Sequence, residues 1–227
     1  MILTDGFWLG ETEVTQGLWK EIMGNNPSHF TSGDDYPVEQ VSWDECQIFI
    51  ERLNMRYPQI GHKWALPTEA QWEFACRAGI MTALPNGKDM RREGANSAPV
   101  LDDIAWYAGN SSQNFTGIKG IDTSSWTEKQ YKGGFAGTHV VRTKNPNNWG
   151  FFDMIGNVCE WCDDRYGPYP GGSTMNPSGS TSDSDRVARG GSWRHFARDC
   201  RSACRSRYYP ASHDFDLGFR VALIPVP

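Results

Sequence analysis

No run of about 18 consecutive apolar residues occurs in this sequence, so nothing in it reads as a membrane-spanning helix. A basic excess is lacking too: 22 Lys and Arg stand against 27 Asp and Glu, a formal charge of −5. That balance excludes a general nucleic-acid or membrane-surface binder, which works through a positive field. The first residues, MILTDGFWLG, have neither the charged nor the apolar region of a signal peptide. Metal-binding spacings are also missing. His29, His62, His139, His195 and His213 fall in no HxxH or HxH pattern, and Cys159 and Cys162 form a lone CxxC without a second pair. The other cysteines, Cys46, Cys76, Cys200 and Cys204, complete no small disulfide framework, and the first two lie in helical patterns where Cys acts as a small buried hydrophobe.

What is present is aromatic bulk and turn chemistry. Ten Trp, eight Tyr and eleven Phe can fill a core, while 24 Gly and 13 Pro require many turns. A chain of 227 residues can bury about 70% of its unfolded surface, and no linker divides it, so one domain over 1–227 is expected. FWLGETEVT reads as a strand, and Leu18, Trp19, Ile22 and Met23 predict a helix ended by Gly24. Ser42 with Glu45 forms a capping-box pattern before a helix whose packed face is Cys46, Ile48, Phe49 and Leu53. LPTEAQWEFACRAG repeats the device with Thr68 and Gln71, with Trp72, Phe74, Ala75 and Ala78 packing and Gly79 closing. Ile80 to Asn145 reads as long packed loops; RVARGGSW and LGFRVALI read as the last two strands. Between those strands lies RHFARDCRSACRSRYYPASHDFD, which has no clean period. From Arg186 to Arg220 there are eight Arg, no Lys and three Asp, and several of these Arg are expected to fork onto buried carbonyls and carboxylates.

The ordered set EVTQGLW, NNPS, PVEQVSWDEC, LPTEAQWEFACRAG, NNWGFFDMIGNVCEW, RGGSW and LGFRV resembles the formylglycine-generating-enzyme, or sulfatase-modifying-factor, family almost from end to end. The resemblance implies an α+β fold of the C-type lectin kind: a twisted antiparallel sheet, two main helices and much irregular coil. The family's copper-dependent oxidases use two Cys five residues apart just after GGSW, because paired thiolates suit Cu(I). Five residues before Cys200 stands His195, so no catalytic residue is assigned and no enzyme is expected. The iron-dependent sulfoxide synthases of the family take their histidine triad from an additional helical domain, which these residues do not include. DMIGNVCEW resembles a family calcium site, with carboxylates from Asp153 and Glu160 and carbonyls from Met154, Gly156 and Val158. The alternative is that the two carboxylates tie the loop by hydrogen bonds alone.

The segment before LGFR is similar to the variable region of diversity-generating-retroelement proteins, closest to those of spirochaetes, spanning about 190–221 here. In such regions adenines of AAY codons are mutated, and the products cannot encode Lys, Gln, Glu, Met or Trp. Outside the family-like framework stand Arg194, His195, Phe196, Asp199, Cys204, Ser206, Arg207 and Tyr208, then Tyr209, Ala211, Ser212, His213, Asp214, Phe215 and Asp216. All fifteen are permitted, a coincidence expected about once in twenty for ordinary composition. Phe196, Tyr208, Tyr209 and Phe215 offer aromatic anchors, and the Arg and Asp residues offer charge complementarity. The expected function is non-catalytic binding of an unknown protein ligand through this surface, with no nucleic-acid partner. The alternatives are a copper-dependent oxidase acting on a sulfatase cysteine and an undiversified structural or regulatory relative. By the same resemblance the protein is expected at the cell surface, its export signal and lipid anchor lying outside these residues.

Overall fold

Helices form where the sequence carries its caps. The computed structural model describes residues 1–90, 94–169 and 171–226. A short strand β1 (Trp8–Leu9) leads to α1 (Gln16–Met23), capped by the Thr15 hydroxyl and ended by Gly24 at φ +83°. α2 (Trp43–Arg56) opens with the reciprocal Ser42–Glu45 box; after β2 (His62–Ala65), α3 (Glu69–Arg77) opens with the Thr68–Gln71 box. These bonds satisfy backbone N–H groups that a first turn leaves open. Two helix faces differ from expectation. Ile48 and Phe74 are exposed, because the buried stripes are Cys46, Phe49, Ile50 and Leu53 on α2 and Ala70, Trp72, Ala75 and Cys76 on α3. Residues off that spacing point away from the core. α3 also closes on Ala78, itself left-handed at φ +44°, one residue before Gly79.

The α+β class holds, with the strands shared among three small sheets. β3 (Ile121–Asp122) pairs with β4 (Phe135–Ala136) inside the long coil region. β5 (Cys159–Arg165) and β6 (Arg186–Arg189) are central in the four-stranded sheet, flanked by β7 (Arg205–Tyr208) and β8 (Leu217–Gly218) in the order β7-β6-β5-β8. Its pairings are antiparallel except β5 with β8. LGFRVALI is therefore not one strand. After β8 the chain turns Arg220 inward, and β9 (Ala222–Pro225) inserts between β1 and β2 in the other sheet.

One core lies between α1, α2 and the four-stranded sheet: Trp19 stacks on Phe49 at 5.3 Å, and Phe219 meets Phe49 edge-on at 5.2 Å. A second lies behind α3 around Trp72, Tyr107, Ile155, Cys162 and Cys200. Between them runs a buried ionic clamp. Arg220, with no solvent exposure, donates to Glu160 through Nε at 2.6 Å and Nη2 at 2.7 Å, and to the carbonyls of Gly10 and Phe152 at 3.0 Å each. Trp72 Nε1 donates to the same carboxylate at 2.7 Å. Other arginines fork as expected. Arg189 pairs with Glu69 and Glu73, and Arg205 grips Glu69 at 2.6 and 2.8 Å while its guanidinium lies 4.5 Å from the Tyr166 ring and 4.1 Å from Tyr169.

Several buried carboxyls have no such partner. Burial pushes Glu39 and Asp164 each up to about 7 and Asp153 up to about 6. Glu13 is raised well above the usual range by burial and by the charges of Asp153 and Glu160.

Removing one partner of a buried pair strands the other charge, so Arg220→Met should cost about 3–5 kcal/mol in urea unfolding, and Arg220→Lys should recover only part of it. The raised carboxyls predict a pH effect. An acid whose folded pKa exceeds its unfolded value contributes stability below about pH 4 that is lost as pH rises through the folded value. Unfolding free energy should therefore fall between about pH 4 and 7 and level off above that, and Glu39→Gln or Asp164→Asn should flatten that fall.

Candidate functional site

The irregular segment is held by its backbone. Gly190 and Gly191 at φ +95° and +74° end β6, and a Cβ on Gly191 would lie 2.9 Å from the Asp199 carbonyl oxygen. Trp193 N–H donates to Asn157 O at 2.8 Å, and the carbonyl of His195 accepts from Ala108 at 3.1 Å. Ser202 N–H donates to Ala83 O at 3.1 Å. The carbonyls of Pro210, Asp214 and Asp216 accept from Trp43, Gln40 and Cys159 at 2.9, 3.0 and 2.8 Å. Part of the segment is regular: β7 pairs Arg205–Tyr208 with β6, a strand the sequence pattern conceals. Such long-range bonds fix the course of a loop without specifying its side chains.

On that backbone Phe196, Arg207, Tyr209, Ala211 and His213 are exposed. Arg194, His195, Asp199, Cys204, Ser206, Tyr208, Ser212, Asp214 and Phe215 are half-buried. The four aromatic anchors divide. Phe196 and Tyr209 are 42% and 64% exposed, whereas Tyr208 packs edge-on to the buried Trp161 at 5.8 Å. Phe215 sits 5.8 Å from Trp193 and 6.2 Å from Phe30, over the small aromatic core they share.

Asp216 departs from the displayed set: it is completely buried. Its Oδ2 accepts from Ser192 Oγ at 2.5 Å and from Arg194 Nε at 3.0 Å, while Arg194 Nη2 reaches Asp214 at 3.0 Å. The guanidinium also lies 4.5 Å from the Phe215 ring. Burial and the neighbouring Asp216 carboxylate raise Asp214, and with the raised Glu39 behind them Arg194 is the cation that balances this floor. Ser192, itself buried, supports this floor, and Glu45 reaches His213 Nε2 at 2.8 Å; sequence reasoning gave Ser192 only a framework place and Glu45 only a capping role. Ser192 lies in the framework motif and Glu45 is 168 residues from His213, so no spacing signal links them.

The thiols do not rebuild a copper pair. His195 Nδ1 lies 3.6 Å from Cys159 Sγ, and Cys200 is completely buried, where burial first and then Asp199 push its thiol upward. The calcium set is corrected at Glu160, whose two oxygens are taken by Arg220 and Trp72. Asp153, at φ +53°, accepts the Arg142 N–H through Oδ2 at 2.8 Å, while its Oδ1 is buried without a hydrogen-bond partner. Gly156 at φ +82° is packed so that a Cβ would lie 2.3 Å from the Trp106 carbonyl oxygen, and Met154 and Val158 are buried in the same loop. Calcium needs several free, convergent oxygens, and an adjacent guanidinium opposes it. Among the described residues no three His, Cys, Asp or Glu side chains converge as metal ligands. Glu160 is thus committed to Arg220 and Trp72, while Asp153 keeps one buried oxygen without a partner.

Comparison with known proteins agrees with this architecture. The chain is 31% identical to formylglycine-generating enzyme of Mus musculus over 221 residues, 92% of this chain and 52% of that protein. It is 28% identical to inactive C-alpha-formylglycine-generating enzyme 2 of Bos taurus over 228 residues, 95% of this chain and 58% of that protein. It thus spans about half the length of the curated relatives it matches. Among solved structures, Treponema denticola variable protein 1 matches with a TM-score of 0.74 at 30% identity, covering 96% of this chain and 84% of that one. PvdO from Pseudomonas aeruginosa, with a TM-score of 0.69 at 21% identity over 97% of this chain and 80% of that one, shares the fold. The sulfatase-modifying factor enzyme 1-like domain matches residues 1–224, and the chain belongs to the formylglycine-generating-enzyme family.

Proposed function

We propose that this protein is a non-catalytic binding module whose 194–216 segment is diversified to display a changeable protein-binding surface. The observation that carries the reading is that fourteen of the fifteen candidate positions reach solvent on a backbone held by bonds from distant parts of the chain. Specificity can then change without refolding, as in loops on rigid scaffolds. Exposed Phe196 and Tyr209 supply flat, stiff contact area, and Arg207 and His213 supply polar contacts. The similarity to Treponema denticola variable protein 1 supports the same reading. Display at the cell surface, through an export signal and anchor outside these residues, is part of the proposal; no described helix is long and apolar enough to cross a membrane.

The rival reading, a copper-dependent oxidase, is disfavoured by the donor set. One thiol position holds His195, and the remaining Cys200 is buried with its thiol pushed away from ionisation. An undiversified relative with one fixed partner differs from the leading reading only in its siblings.

The decisive experiment is sequencing around the gene. A nearby reverse transcriptase and a near-copy of this segment differing only at template adenines are expected; sibling proteins unchanged across 194–216 would end the proposal. Because Arg194 neutralises buried Asp216, sibling proteins should change positions 194 and 216 together or at neither. The same geometry separates the positions by stability. Arg207→Ala and Tyr209→Ala should alter unfolding free energy by less than about 0.5 kcal/mol, whereas Arg194→Ala should cost about 3 kcal/mol by leaving Asp216 unpaired. Chemical denaturation of the variants checks the contrast.

A further inference from the structure

Away from the variable segment, the N-terminal stretch, α3 and the loop after Asn147 enclose an open cleft of about 330 Å³. None of its lining residues belongs to 190–221. Its walls include Phe7, Phe74, Trp149 and Phe151, with Asp5 at the same opening. Phe74 meets Trp149 at 5.0 Å with planes 61° apart, and Phe7 meets Phe74 at 6.4 Å and 55°. The rings thus form angled walls rather than a flat stack. Phe74 and Trp149 are 45% and 48% exposed, and Phe74 lies off the buried stripe of α3, so core packing does not account for them.

We propose that this cleft binds the quaternary ammonium group of a small molecule such as choline. Aromatic faces carry negative potential, and angled rings surround a cation from several sides. Among the described residues, Asp5 is the single charged residue lining the cleft and makes no ion pair; its Oδ2 accepts the Thr4 hydroxyl at 3.0 Å. A carboxylate beside aromatic walls, with no basic residue lining them among the described residues, is complementary to a cation. The mostly apolar lining selects the methylated form. A primary ammonium would lose hydrogen bonds that these walls cannot return, whereas a trimethylammonium group has none to lose.

The test titrates the full chain with choline and with its uncharged carbon isostere, 3,3-dimethylbutan-1-ol, following tryptophan fluorescence and the upfield shift of the ligand methyl protons. Choline binding is expected, weakened about tenfold by Trp149→Ala and several-fold by Asp5→Asn, with the isostere bound at least about tenfold more weakly. Trp149 and Asp5 are exposed, and circular dichroism verifies that the variants are folded. Phosphatidylcholine vesicles form a further arm: vesicle capture lost in Trp149→Ala would place the ammonium group on a lipid headgroup, and choline binding without capture places it on a free compound. Equal binding of choline and isostere, insensitivity to both substitutions, or binding of neither choline nor vesicles would overturn the proposal.

Discussion

The Arg220–Glu160 pair sits where every layer of the molecule meets. Glu160 belongs to β5, Trp72 to α3, Gly10 to the turn after β1, and Phe152 to the loop before β5; one guanidinium binds three of these and shares its carboxylate with the fourth. A fold with so few long strands has few ladders with which to join its parts, and fixed-geometry forks supply that joining. The cost is desolvation. It is offset only because both carboxylate oxygens and the facing carbonyls are matched, and so the clamp tolerates no loss of a partner.

The same device recurs at lower stakes beneath the candidate binding surface. Arg194 holds Asp214 and the buried Asp216 much as Arg220 holds Glu160, but it is itself half-exposed. The surface and its floor are therefore linked: Phe215, Tyr208, Arg194 and Asp216 take part in packing, whereas Phe196, Tyr209 and Ala211 are exposed, His213 is exposed but bonded to Glu45, and Arg207 is exposed beside Asp185 and Tyr166. In the proposed binding surface, substitution disturbs the packing least at the rim. Its centre is restricted by what lies underneath.

Much of this was legible in the chain. Both capping boxes, the Gly24 stop and the paired glycines after Arg189 were readable because caps and turns are local, decided by residues three or four apart. Ile48 and Phe74 misled because an apolar residue beside a buried stripe looks like part of it; Phe74 belongs to a second site. β7 was hidden because Arg205, Ser206 and Arg207 are polar and only Tyr208 is aromatic, leaving no apolar period, while its pairing with β6 lies outside any local pattern.

By itself, the sequence determined the family-wide motif order, the helix N-caps and the presence of His195 five residues before Cys200, all of which depend on residue identity and short spacing. Only the tertiary structure decided that Glu160 faces Arg220, that LGFRVALI divides between two sheets, and that Asp216 lies under the surface and not on it. Each of those outcomes turns on which charge or backbone group meets a side chain from tens to hundreds of residues away, and burial makes that meeting, not the residue type, set the energy.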